Sequence, residues 1–251
     1  MSPGYASRCN LWSDGRPRYK LSMPHRHSVQ THLGTTAGEY DRLIRTLIPG
    51  YEQMLSTIAW WLSEVIPPDG QVIELGGGTG ALAHEVLTKL PKARLEIWDI
   101  DPAMLAVARE RLQKFGDRVT VREQSFTEKL DHCNAVIATL SLHHLPTLDV
   151  KCSVYKNIFN ALLRPGIFLT GDCTMDLTEP GHSVMLRYWI AFMAKHGITE
   201  AAARKHFSDW AKEDTYQQIS DELIALAQAG FRRPEVFWKE GPIAAYGGIK
   251  A

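Results

Sequence analysis

Val72-Ile73-Glu74-Leu75-Gly76-Gly77-Gly78-Thr79-Gly80 is the stretch on which the fold turns. Gln71 to Leu75 is short and apolar enough for a buried strand, and glycines close it. Glycine lets a backbone turn sharply and approach a ligand with no Cβ in the way. Leu82, Val86, Leu87 and Leu90 then recur at helical spacing. Strand, glycine turn and helix in that order make the opening unit of an open α/β sheet. In such sheets ligands bind at the carboxyl ends of the strands, near the switch point.

The same alternation continues downstream. Arg94 to Trp98 reads as a second strand, ended by Asp99-Ile100-Asp101-Pro102. Asp101 suits the N-cap, and Pro102 the first turn, of a helix whose inward face is Met104, Leu105, Ala108 and Leu112. Arg118 to Arg122 alternates as a third strand, and Ala135 to Leu140 is a continuous apolar run of the buried parallel type. Val154 to Leu163 is helical and is expected to stop at Arg164-Pro165-Gly166, before a fifth strand from Ile167 to Thr170. Repeated β–α alternation with right-handed crossovers gives a parallel, doubly wound sheet.

Upstream, Gly38 to Leu47 and Tyr51 to Val65 read as helices separated by Ile48-Pro49-Gly50. Downstream, His182 to His196 and Thr199 to Glu213 read as a helical cap, here bounded as residues 173–215. A helix from Asp221 to Ala229 follows, capped by Gly230, then an antiparallel pair at Pro234 to Trp238 and Ile243 to Gly247. Residues 36–251 are thus expected to form one domain, preceded by an arm of residues 1–35.

Bulk composition narrows the class. The chain has 251 residues, 45% hydrophobic and 22% charged, which suits one large domain rather than two. Formal net charge is zero, so there is no general attraction to nucleic acid or anionic membrane. The arm alone is basic, with Arg8, Arg16, Arg18, Lys20 and Arg26 against Asp14. Its Pro, Gly and Ser content favours a leader or a lid over an RNA-binding or targeting segment. No stretch approaches the roughly 18 apolar residues of a membrane helix, and the start lacks a signal-peptide core. A cytoplasmic location is therefore expected. Cys9, Cys133, Cys152 and Cys173 are far apart, so neither structural zinc nor disulfides are expected, and no metal is assigned.

The chemistry of the bound ligand hangs on Glu74. The glycine run satisfies the dinucleotide pattern G-x-G-x-x-G/A, which is weak alone. A carboxylate beside a pyrophosphate is unfavourable, whereas one beside a sulfonium and an ammonium is favourable. Asp99, at the end of the next strand, can take both hydroxyls of a ribose.

Val72 to Gly80 resembles the first motif of class I S-adenosylmethionine-dependent methyltransferases. Ile97 to Leu105 (I-W-D-I-D-P-A-M-L), Asn134 to Leu145 (N-A-V-I-A-T-L-S-L-H-H-L), Leu162 to Gly166 (L-L-R-P-G) and Ala229 to Phe231 (A-G-F) are similar to later segments, in order. The resemblance implies a Rossmann-like doubly wound seven-stranded sheet, mostly parallel with the last strand antiparallel, an N-terminal helical lid and a helical cap insertion. It implies S-adenosylmethionine as cofactor, with Gly76, Gly77, Gly78 and Gly80 in the loop and Glu74 serving the amine. It further implies Asp99 on the ribose and Ile100 on the adenine. Ser125 and Phe126 stand where the family has an acidic and a small residue near the adenine. Tyr40 to Tyr51 and the ending I-A-A-Y-G-G-I-K-A look like the branch of carboxy-S-adenosylmethionine synthase and its methyltransferase relatives. That adds Tyr51 and Thr139 to the pocket. Where the synthase carries its carboxylate-gripping Arg, this chain has Ala194.

His143 and His144 follow the fourth strand, at the sheet edge from which the transferred group should emerge, and are the candidate bases. In the cap, Tyr188, Trp189 and Phe192 are the candidate acceptor-binding residues, and their aromatic character favours a small organic molecule. The function expected is methyl transfer to a small acceptor. The alternatives are another use of the cofactor (its carboxylation, aminocarboxypropyl transfer or cyclisation), RNA modification through the arm, a non-catalytic scaffold and a nicotinamide dehydrogenase. Oligomeric state is left open.

Overall fold

A computed structural model describes residues 33–251; residues 1–32 of the arm, and the expectations placed on them, lie outside the described residues. A seven-stranded sheet runs in the order β3-β2-β1-β4-β5-β7-β6. The strands are β1 (Gln71–Leu75), β2 (Arg94–Asp99), β3 (Val119–Glu123), β4 (Cys133–Thr139), β5 (Leu162–Cys173), β6 (Glu235–Glu240) and β7 (Ile243–Lys250). Pairing is parallel except along β7, which is antiparallel to both β5 and β6. The switch lies between β1 and β4, and the glycine run opens there.

Two layers cover the sheet. On one face pack α1 (Ala37–Leu47), α2 (Tyr51–Val65), α3 (Ala81–Lys89) and α4 (Pro102–Leu112). On the other pack α5 (Leu148–Ala161) and α8 (Ile219–Ala229). Between β5 and α8 the chain leaves the sheet for the cap, α6 (Gly181–Lys195) and α7 (Glu200–Trp210). Alternate residues of β1 divide accordingly, Val72 joining the first core, and Ile73 and Leu75 the second. Capping follows the sequence: the Asp101 carboxylate accepts from Ala103 N–H at 2.9 Å, and Thr199 caps α7.

One junction differs from expectation. Arg164-Pro165-Gly166 does not precede β5 but lies within it. Leu162 pairs with Cys133, and the next partners are Ile167 and Ala135, so Leu163, Arg164 and Pro165 bulge out and are exposed. An extra loop in one strand of a ladder is absorbed as a register shift, and turn-forming residues hid it. No helix among the described residues is long and apolar enough to cross a membrane.

Candidate functional site

The carboxyl edge of the sheet opens into a cavity between β1, β2, β4 and β5 below and α1 with the cap above. Its floor is Gly76, Gly77, Gly78, Asp99, Ile100, Met104, Phe126, Thr139, Leu140 and Ser141. The glycines are required. Gly76 has φ +62°, and a Cβ there would lie 2.5 Å from Ser141 Cβ; a Cβ on Gly77 would run into the Ile97 side chain. Leu140 also adopts a left-handed φ of 47°, which costs about 1–2 kcal/mol outside glycine. That turn lets Ser141 donate to Leu75 C=O at 2.9 Å and brings the histidines to the rim.

Asp99 anchors the loop as well as facing the cavity. One carboxylate oxygen accepts from Gly78 N–H and the other from Asp101 N–H, each at 2.8 Å. Each oxygen keeps acceptor capacity for a ligand hydroxyl. Burial raises the Asp99 pKa, against the lowering effect of those amides.

Glu74 lies beneath the loop rather than in the cavity wall. It is fully buried, and neither oxygen has a hydrogen-bond partner of good geometry. A Cβ on Gly77 would come 3.0 Å from its carboxyl carbon, so only glycine backbone separates the carboxylate from the cavity floor. Burial, opposed by the Ala83 N–H and reinforced by Asp99, pushes its pKa up to about 8. A buried acid of this kind is incomplete without a cation, which a ligand ammonium would supply. The sign follows: with pKa about 8 the free protein holds Glu74 largely protonated at neutral pH, and a bound ammonium favours the carboxylate. Binding then releases a proton, so affinity for S-adenosylmethionine should rise up to about tenfold per pH unit toward pH 8. Calorimetry in buffers of different ionisation enthalpy checks the proton release, and Glu74→Gln should flatten the slope. A slope unchanged in that variant would detach Glu74 from the ligand.

Other residues fall on both sides of expectation. Tyr51, Thr139 and Phe126 line the cavity. Ser125 does not: its hydroxyl pairs with that of Thr127 at 2.8 Å in a local turn. Gly80 caps α3, and a Cβ there would meet Leu112, so its role is packing. In α6 the face is displaced by one residue. Trp189 is fully buried in the cavity wall and donates to Leu47 C=O at 2.6 Å. Tyr188 is instead exposed and donates to Glu240 at 3.0 Å, and Phe192 packs on His196 outside the cavity. Residues 188 and 192 share one helical face, and 189 and 193 the next one round.

The far end of the cavity was only half visible in the sequence. His143 Nδ1 meets Asp172 Oδ1 at 2.5 Å, while the other Asp172 oxygen accepts the His143 N–H at 3.1 Å. Asp214 lies 3.7 Å from His143 Nε2 and 3.1 Å from His144 Nδ1. Burial alone would lower the His143 pKa, but Asp172 and then Asp214 outweigh it and raise it. Trp189, Trp210 and Tyr216 form the aromatic wall beside these groups. Asp172 could have been found: an acid inside the apolar run of β5 is the signal that exposed Glu74. Asp214 sits in an unpatterned polar stretch and carries no such signal.

The roof is α1, with Tyr40, Ile44, Leu47 and Ile48 in the lining. It is fastened to the loop by a half-buried triangle. Arg111 pairs with Asp41 and donates to Thr79 Oγ1 at 2.8 Å, and Thr79 Oγ1 donates to Asp41 at 2.7 Å.

Comparison with known proteins bears on the fold and the cofactor. The family model described as "Methyltransferase domain" matches residues 73–168. The carboxy-S-adenosyl-L-methionine synthase of Nautilia profundicola is 23% identical over 84% of this chain and 90% of its own. The ubiquinone/menaquinone biosynthesis C-methyltransferase of Desulfotalea psychrophila is 24% identical over 98% and 99%. Human N-acetylserotonin methyltransferase, solved with S-adenosylmethionine, superposes with a TM-score of 0.54 at 18% identity, covering 90% of this chain and 63% of that one. The solved chains are longer, this chain spanning 53% to 67% of their lengths. Residues 73–168 match a methyltransferase domain, and the fold, the glycine loop and these likenesses are those of class I S-adenosylmethionine-dependent methyltransferases. Within that class the chain is similar to the carboxy-S-adenosylmethionine synthases and to quinone-pathway and antibiotic methyltransferases.

Proposed function

We propose that the chain transfers the methyl group of S-adenosylmethionine to a small organic acceptor held under the cap. The observation that carries this is the continuity of one cavity, from the glycine loop and Asp99 to the His143–His144–Asp214 cluster and its aromatic wall. The residues fit the cofactor: Glu74 lacks a cation, the glycine loop packs so closely that a Cβ would meet Ser141, Ile97 or Met104, and Asp99 has acceptor capacity left. S-adenosylmethionine supplies a methyl group already activated on a sulfonium. The chain's part is to place the nucleophile in line and receive its proton, and placement carries much of the rate. The acceptor's proton is handled by the cluster at the far end.

Two features favour methyl transfer over synthesis of the carboxylated cofactor. The described residues lining the cavity include no Lys or Arg to grip a carboxylate, and Ala194 lies on the exposed side of α6. The balanced net charge likewise favours a small acceptor over RNA. The test is the nucleoside released by pure enzyme, first alone and then with candidate acceptors. S-adenosylhomocysteine formed only with an acceptor is expected. Methylthioadenosine formed without one would replace this reading with cyclisation or side-chain transfer.

A further inference from the structure

We propose that His143 Nε2, His144 Nδ1 and Asp214 Oδ1 bind a divalent transition-metal ion of the zinc type at the acceptor end of the cavity. The three atoms lie within 4.8 Å of one another, with Asp214 Oδ1 at 3.7 Å from His143 and 3.1 Å from His144. Ligand atoms about 2.0–2.1 Å from a tetrahedral ion stand about 3.3–3.4 Å apart. The two separations from Asp214 bracket that spacing and the third is within 4.8 Å, so side-chain adjustments close the site.

The surroundings aim these atoms. The Asp172 carboxylate accepts from His143 Nδ1 at 2.5 Å and is itself held by the N–H groups of His143 and Cys173. This fixes the tautomer and turns the Nε2 lone pair toward Asp214. A carboxylate–histidine–metal relay of this kind is the usual outer support of a bound ion. Asp214 is oriented the same way, its other oxygen accepting from Tyr216 OH at 2.7 Å. The backbone joins the two halves, Thr215 N–H donating to His143 C=O at 2.7 Å. The three side chains are only 7%, 13% and 3% exposed, yet all line the cavity, which leaves the fourth coordination position to a ligand.

The donor set selects the ion. Two imidazoles and one carboxylate suit zinc, iron(II), cobalt(II) or nickel(II), whereas magnesium and calcium favour all-oxygen sites. A second trio, His143, Asp172 and Cys173, also falls within range, but there Asp172 is already spent on orienting the imidazole. None of the cysteines is needed, which is why cysteine spacing gave no sign of the site.

The role assigned to the ion rests on reading this end of the cavity as the acceptor side. A coordinated hydroxyl becomes more acidic: its O–H bond breaks, the proton goes to water, and the electron pair stays on the oxygen. The ion thus does the work otherwise asked of a free imidazole base.

The experiment is titration of chelator-stripped, tag-free protein with cobalt(II), read by the visible bands of four-coordinate cobalt, and with zinc by competition. One ion per chain is expected. Asp172→Asn should weaken it about 10–100-fold, and Asp214→Asn should abolish the bands. S-adenosylmethionine binding in each variant reports folding. Should Asp214→Asn fail to fold, Tyr216→Phe, which removes only one hydroxyl, should still weaken cobalt severalfold. Absence of binding, or binding unchanged in Asp214→Asn and Tyr216→Phe, overturns the metal site. Activity that survives chelation in that case leaves the methyltransferase reading standing.

Discussion

Asp99→Ala is expected to weaken S-adenosylmethionine binding by a hundredfold or more in a protein that still folds. Two hydrogen bonds from ribose hydroxyls to a carboxylate contribute about 1.5–3 kcal/mol each, and about 2.7 kcal/mol is a hundredfold. The structure adds a second cost. The same carboxylate holds the N–H groups of Gly78 and Asp101, so alanine also releases the glycine loop and the start of α4. Asp99→Asn separates the two, since its amide keeps one acceptor oxygen and the shape but loses the charge. It should fall between wild type and alanine by calorimetry. Unchanged affinity in a folded Asp99→Ala would remove Asp99 from the ribose.

The second large effect is expected at the other end of the cavity. His143→Gln should lower kcat by about 10²–10⁴-fold, the usual range for losing proton handling at the acceptor, which this imidazole serves either as base or as ligand of the ion, with cofactor affinity within about threefold of wild type. Asp172→Asn should act in the same direction, because its amide no longer provides the carboxylate that orients Nδ1. Glutamine is preferable to alanine here, since alanine would strand a fully buried Asp172 without its partner. His144→Gln tests the neighbouring ring. If none of the three slows turnover of the true acceptor while cofactor binding holds, the double histidine belongs to packing alone.

The sequence yielded the sheet and the cofactor end more fully than the acceptor end, for a physical reason. Gln71–Leu75 and Tyr51–Val65 match their expected bounds because each is set by local signals, an apolar run closed by glycines and an amphipathic period. Local signals end where the chain meets itself. The Arg111–Asp41 pair joins residues 70 apart, and Asp214 reaches histidines from the far side of the cap. The error in α6 is of another kind. A helix advances 100° per residue, so attention to aromatic character picked Tyr188 and Phe192 along with Trp189, whereas the buried face carries Trp189 and Met193. Arg164-Pro165-Gly166 misled by composition, its turn residues forming a bulge inside β5.

The two ends of the cavity come from different parts of the chain, and this has a consequence for specificity. Most of the cofactor's floor lies inside residues 73–168, on strand ends locked by the sheet. The opposing walls come from α1 before that span and from the cap after it, through Tyr40, Ile44, Trp189, Trp210, Asp214 and Tyr216. These side chains can change size or polarity without disturbing a hydrogen bond to the glycine loop, which α1 grips through Asp41 instead. Relatives can therefore share the methyl donor while differing in what they methylate, and on the reading proposed above α1 and the cap are where this chain's own acceptor preference is written.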